Sequence, residues 1–187
     1  MRSTVATVHD VVSSLEPGDN LEAEHRSHTL GWLRRTDDVF RRVKPAEPAQ
    51  HLVSYVVPID PADGSVLLVE HLNAGLWLPP GGHVETGEHP FDAAAREIEE
   101  ELGITTEPGP EPVFLTVTGT VGIDSGHIDV SLWYVVEIPR DHQLKPDTGE
   151  FHGVRWWARD EILRSDPALF DPHLTRFLEK VAYRSTR

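Results

Sequence analysis

Apolar positions divide the chain into a helical opening, a β-rich middle and a helical end. Val8, Val11, Val12 and Leu15 recur at the spacing of one helix face. Leu21, Leu30, Leu33, Val39 and Phe40 predict a second helix or a pair of helices, with a break at Pro17-Gly18-Asp19. Lys44-Pro45-Ala46-Glu47-Pro48 reads as a linker. Residues 1–48 are therefore expected to form an N-terminal helical extension, and residues 49–187 the main domain.

After the linker the pattern turns β-rich. Residues 51–57 and 65–69 predict strands joined by the turn Asp60-Pro61-Ala62-Asp63-Gly64. Leu76-Trp77-Leu78-Pro79-Pro80-Gly81-Gly82 reads as a rigid loop. A helix is predicted from Pro90 to Leu102, stopped by Gly103. Residues 113–121 and 128–136 predict a hairpin around Gly122-Ile123-Asp124-Ser125-Gly126, and residues 154–157 a short last strand. Asp171-Pro172 starts a terminal helix, with aspartate as its cap, and Leu174, Phe177, Leu178 and Val181 form its apolar stripe. The order predicts an α+β layered domain.

The helix at 90–102 carries a pattern that packing alone does not ask for. At about 100° per residue, Glu100 and Glu101 fall within about 60° of Glu97. Phe91, Ala95, Ile98 and Leu102 gather on another face, which can bury against a sheet. Like charges at this spacing destabilise an isolated helix by about 0.2–0.5 kcal/mol per pair. A run of glutamates can be a solvated face, and Glu99 is read as such a residue. A compensating hard divalent cation is the alternative for the other three. Arg96 is the one basic residue in this helix and can orient a carboxylate.

Charge sharpens this picture. The chain has 17 Lys and Arg against 31 Asp and Glu, a formal net charge of −14, so a nucleic-acid polymer is an unsuitable partner. Residues 83–101 hold seven acids and one base. Such a cluster repels phosphate only until a metal ion sits between them. There is no cysteine, which excludes disulfides and thiolate metal sites. The N-terminus shows no apolar run of signal-peptide or membrane-span length, so a cytoplasmic location and no membrane partner are expected. The 11 histidines show no spacing that suggests zinc, and are read as non-ligands.

Gly82, Glu88, Arg96, Glu97, Ile98, Glu100, Glu101, Gly103 and Ile104 fill nine specified positions across 23 residues. Their spacing resembles the Nudix box, G-x5-E-x7-R-E-U-x-E-E-x-G-U, where U is a bulky aliphatic residue. The resemblance extends over roughly residues 50–160. The stretch LWLPPGGHVETGE is also similar to a MutT-like bacterial group with an N-terminal helical extension. It implies an α/β/α sandwich with a mixed sheet, here with the N-terminal extension and a C-terminal helix, and a hydrolase acting on phosphoanhydride bonds with Mg2+ or Mn2+.

Residue by residue, the resemblance implies that Glu97, Glu100 and Glu101 hold metal, with the Gly81 carbonyl as a further ligand. Gly82, Glu85, Glu88, Arg96 and Gly103 support the box. A carboxylate accepts the proton of the attacking water. Glu97 or Glu100 is expected to do so, with Glu150 or Asp147, ahead of the last strand, as alternatives outside the box. The expected partner is a small-molecule nucleoside diphosphate derivative, and a homodimer is left open. The proline that marks many ADP-ribose hydrolases is absent around Gly119-Thr120-Val121. The tyrosine of one class of dinucleoside polyphosphate hydrolases and the coenzyme A signature are absent too. A MutT-like or unassigned nucleotide substrate is the reading that remains.

For substrate contacts the candidates are Trp77, which can stack on a base or fill core, and His127 and Asp129. These two share one side of an alternating strand with Ser131 and Trp133, either lining a cleft or facing solvent. Two competing readings stand beside the hydrolase. A Nudix-fold binding or regulatory module commonly loses box carboxylates, and all are present here. An isopentenyl diphosphate isomerase needs a cysteine that the chain lacks.

Overall fold

The computed structural model describes residues 4–43, 47–105, 109, 111–122 and 125–185. Two helices, α1 (Thr4–Ser14) and α2 (Asn20–Leu33), lead into β1 (Gln50–Ile59) and β2 (Val66–His71). Two three-residue strands follow, β3 (Leu76–Leu78) and β4 (Gly81–His83), then α3 (Pro90–Leu102). The chain continues through β5 (Phe114–Gly119), β6 (Ile128–Glu137) and β7 (Phe151–Trp157) to α4 (Arg159–Arg164) and α5 (Leu174–Ser185).

The seven strands form one mixed sheet in the order β3-β2-β1-β6-β5, with β4 added to β1 and β7 added to β2. The pair β1 and β6 runs parallel through ten registered positions, from Gln50 opposite Ile128 to Ile59 opposite Glu137. Alternate residues of these strands point to opposite faces. On one face Leu52, Val56, Leu132 and Tyr134 pack under α1, α2 and α3 through Val8, Val12, Trp32, Ile98 and Leu102. On the other Val57, Phe114 and Trp133 pack under α4 and α5 through Ile162, Leu174 and Phe177. Trp133 stacks on Phe177 at 5.2 Å and donates its indole N–H to Thr116. The α+β sandwich is thus a sheet with a helical layer on each face.

The helices explain themselves locally. His89 caps α3 by accepting the Phe91 N–H, Pro90 opens the first turn, and the helix ends on Gly103 in the left-handed conformation. The Asp60 turn closes as the sequence implies: its carboxylate accepts the Ala62 N–H and its N–H bonds to the Ser65 carbonyl. Two expectations need correction. Helix α2 ends at Leu33, and Val39 and Phe40 are buried outside any helix. A local turn competes there, with Thr36 accepting the Asp38 N–H and Asp37 accepting the Val39 N–H. The stretch read as a rigid loop contains β3 and β4. Linker residues 44–46 and hairpin residues 123 and 124 lie outside the described residues. No helix among the described residues is long and apolar enough to cross a membrane.

Helix α2 is fastened to α5 by a buried ion pair. Glu22 on α2 is fully buried and accepts from Lys180 on α5 at 2.7 Å, from the Leu115 N–H at 3.1 Å and from the Gly18 N–H at 2.6 Å. Beside it Arg176 forks onto the Asp19 carboxylate at 2.8 and 2.6 Å. Lys180→Met leaves Glu22 buried without its cation and is expected to destabilise the protein by about 3–5 kcal/mol. Urea unfolding at pH 7 checks this, and a loss below about 1 kcal/mol contradicts it.

A second test concerns Asp171, whose carboxylate accepts the His173 N–H ahead of α5. Burial raises this carboxyl to about 6, with the His173 bond opposing in part. The folded protein then holds the proton more tightly than the unfolded chain, so stability is lost as pH rises from about 4 to about 6. Asp171→Asn keeps an acceptor and removes the charge. It is expected to be more stable than wild type by about 2–3 kcal/mol at pH 8, a difference that closes toward pH 4. Unfolding curves at the two pH values read it, and a gap independent of pH contradicts the assignment.

Candidate active site

The carboxylate face of α3 is presented by what its opposite face buries. Ala93, Ala94, Ile98 and Leu102 are fully buried against the sheet. Glu97, Glu100 and Glu101 consequently project toward β4 and line a cleft of about 790 Å³. Glu99 is exposed, as a solvated residue should be.

Arg96 organises this face. Its guanidinium forks onto Glu88 at 2.9 and 3.0 Å, and reaches Glu97 at 2.8 Å, Glu100 at 3.1 Å and the His83 carbonyl at 3.1 Å. Glu88 in turn accepts the Glu85 N–H at 2.9 Å, which closes the loop between β4 and α3. Burial works to raise the Glu88 carboxyl, but the Arg96 bonds hold it below the usual range. The bonds from Glu88 likewise raise Arg96, which stays a cation.

Glu97 and Glu101 are in the opposite situation. Burial raises Glu97, with Arg96 opposing and Glu100 and Glu150 adding to the rise. Burial pushes Glu101 up to about 9, and the Glu97 charge adds to it. The Gly81 N–H donates to Glu101 at 2.9 Å and gives back part of that penalty. Carboxylates packed this closely, with one arginine among them, suit a divalent cation by their chemistry: all donors are oxygen, and the surplus charge is negative.

The glycines of β4 are needed for this approach. Gly81 has φ 146°, and a Cβ there would run into the Ser54 carbonyl. A Cβ on Gly82 would overlap the Glu97 carboxylate, so the strand comes this close to α3 only because the side chain is missing.

The loop ahead of β7 is pinned to the end of the same helix. The Lys145 N–H bonds to Leu102 and the Asp147 N–H to Glu101, both at 2.8 Å. Asp147 accepts the Gly149 N–H at 2.7 Å and does not line the cleft; Glu150 does. The cleft wall also contains Gly81, Gly82, Glu85, His127, Asp129 and Ser131. The strand face carrying Asp129 and Ser131 is thus a cleft wall near the start of β6, and core where Trp133 meets α5. Trp77, for which the sequence leaves stacking on a base and core packing both open, packs edge-on against Trp157 at 5.2 Å, beside the second core, while its neighbours Leu76 and Leu78 line the cleft.

Sequence spacing gave no sign of one further feature. His51 of β1, His83 of β4, Asp129 of β6 and His127, just ahead of β6, bring one nitrogen or oxygen each within 4.8 Å of one another. Read from spacing as non-ligands, these three histidines nevertheless stand within reach of one another and of Asp129. Separation along the chain hides them; strand pairing, which sets His51 opposite Asp129 and Val53 opposite His83, brings them together.

Comparison with known proteins agrees with this geometry. The NUDIX domain matches residues 49–181. Phosphatase NudJ of Escherichia coli (strain K12) is 30% identical over 106 residues, 56% of this chain and 67% of that protein. The crystal structure of a MutT Nudix hydrolase from Burkholderia pseudomallei is similar at 27% identity and TM-score 0.53, over 70% of this chain and 96% of that one. That of the MutT protein from Methanosarcina mazei Go1 has TM-score 0.61 at 21% identity, over 73% and 95%. Box residues, fold and relatives agree, and the chain belongs to the NUDIX domain family and is a Nudix hydrolase.

Proposed function

We propose that the protein is a divalent-metal-dependent pyrophosphohydrolase that cleaves a nucleoside diphosphate linked to a further group, releasing a nucleoside monophosphate or a phosphorylated fragment. The observation that carries this reading is the complete carboxylate set on α3, crowded, with Glu97 and Glu101 largely buried, and turned into a cleft of about 790 Å³. A binding module has no need to keep three such carboxylates at this cost.

Glu97, Glu100, Glu101 and the Gly81 carbonyl are the groups that would hold Mg2+ or Mn2+. The bound ion supplies charge neutralisation at the phosphoryl oxygens and an acidified water. The chain's own residues do the rest. Arg96 fixes the orientation of Glu97 and Glu100, and Glu88 fixes Arg96. The open β4 backbone admits the diphosphate. Water attacks one phosphorus, the anhydride P–O bond breaks with its electron pair going to the leaving phosphate, and the water's proton passes to a carboxylate.

Glu100→Gln and Glu101→Gln are each expected to cut turnover by about 10²-fold or more while leaving the circular dichroism unchanged, since each removes charge from the site and not from the core. A panel of nucleoside di- and triphosphate derivatives, with Mg2+ and with Mn2+, scored by mass spectrometry, supplies the assay. No turnover of any substrate by wild type overturns the enzyme reading, and near-normal turnover at limiting metal in either variant overturns the ligand set.

The proton acceptor is tested by a pair of variants. We assign it to Glu97, which the helix and Arg96 hold in place. Glu150 is the competitor, because it lines the same cleft and lies near enough for its charge to raise Glu97 and Glu101. Glu97→Gln is expected to lose rate and metal affinity together, with Glu150→Gln near wild type in both. A Glu150→Gln enzyme slowed by about 10²–10⁴-fold with unchanged metal affinity moves the role to Glu150.

A further inference from the structure

The group formed by His51, His83, His127 and Asp129 lies at the sheet wall of the cleft, with His83, His127 and Asp129 on its lining and His51 buried behind them, away from α3. His51 and His127 are buried, while His83 and Asp129 are partly exposed. The His51 ring lies 4.7 Å from that of His83 and 4.8 Å from that of His127. The Asp129 carboxylate Oδ1 lies 3.1 Å from His51 Nε2 and 3.4 Å from His127 Nε2.

The protonation pattern of His51 makes the first of these approaches informative. Its Nδ1 is 2.8 Å from the Pro48 carbonyl oxygen. A carbonyl only accepts, so Nδ1 carries the proton, and Nε2 is turned toward Asp129 Oδ1. Both of those atoms are buried, and neither makes a hydrogen bond among the described residues. A lone pair and a carboxylate oxygen held face to face are repulsive unless a cation lies between them. A proton bridges two such atoms; a metal ion bridges four. An imidazole anchored through its other nitrogen to a backbone carbonyl is also how metal-binding histidines are commonly held.

The dimensions agree. Bonds of about 2.0–2.1 Å in a tetrahedral site place neighbouring ligand atoms about 3.4 Å apart. The two Asp129 separations stand near that value, and the whole set lies within 4.8 Å, so small side-chain rotations close it. Three imidazoles and one carboxylate suit zinc and its late first-row neighbours, and do not suit magnesium, which asks for oxygen. The strands keep the donors on one face, since His51 stands opposite Asp129, and Val53 stands opposite both His83 and Ser131.

We propose that His51, His83, His127 and Asp129 form a second metal site, distinct from the carboxylates of α3, that takes one zinc-type transition-metal ion. With four protein ligands it is a closed site, tying β1, β4 and β6 together where they form the cleft wall. It stands independently of the proposed reaction.

Chelator-stripped protein titrated with Co2+ tests it. Wild type is expected to take up one equivalent with the intense visible bands of tetrahedral cobalt. The bands should persist in the Glu97→Gln/Glu100→Gln/Glu101→Gln variant, resist excess Mg2+, and be lost in His83→Gln/Asp129→Asn, which alters the two partly exposed ligands. X-ray absorption at the zinc edge of Zn2+-loaded wild type, which needs no variant, should show imidazole scattering. Absence of tetrahedral bands in wild type, their loss with the glutamates alone, or an oxygen-only zinc shell overturns the proposal.

Discussion

Repulsion among Glu97, Glu100 and Glu101 is the constraint to which the neighbouring elements answer. Three carboxylates on one side of α3, two of them largely buried, stay together because Arg96 spans Glu97 and Glu100 and the Gly81 N–H meets Glu101. Arg96 is itself held by Glu88, and Glu88 by the loop that follows β4. The helix cannot rotate to disperse the charge, since Ile98 and Leu102 are buried against the sheet. Packing on one side therefore enforces crowding on the other, of the kind that a divalent cation would relieve.

The surrounding architecture serves the same end. Strand β4 reaches α3 through two glycines, and the loop ahead of β7 is bonded to the C-terminal end of α3, which carries Glu150 into the cleft. Away from the cleft, α1 and α2 share the core that α3 packs into, and Glu22 ties α2 to α5 through Lys180. The N-terminal helices thus cover one face of the sheet while the C-terminal helices cover the other. The cleft keeps its walls from elements that both layers hold in place.

Much of this was legible in the sequence, for reasons that lie in range. Helix α3, its glycine stop, and the three carboxylates on one face follow from local spacing, and the Nudix box is the source of the roles proposed for them. Strands β1, β2, β5, β6 and β7 follow from alternation or β-rich runs. What escaped depends on partners far along the chain. Strands β3 and β4 are three residues each, too short for any period, and exist because β2 and β1 pair with them. Val39 and Phe40 look helical by composition but are buried from an irregular segment. Trp77 could stack on a ligand or fill core, and only the position of Trp157 decides it. The histidine grouping has no trace in linear spacing, because its members come from β1, β4 and the start of β6 with the residue before it.

The claim that crowded carboxylates await a cation is tested most directly by thermal unfolding of wild type and of the Glu97→Gln/Glu100→Gln/Glu101→Gln variant, each in chelator and in increasing Mg2+. The account predicts that the variant is the more stable of the two in chelator, that wild type rises with Mg2+ as the ligand of a folded state must, and that the variant does not respond. A wild type indifferent to Mg2+, or a variant that gains from it equally, would contradict the account.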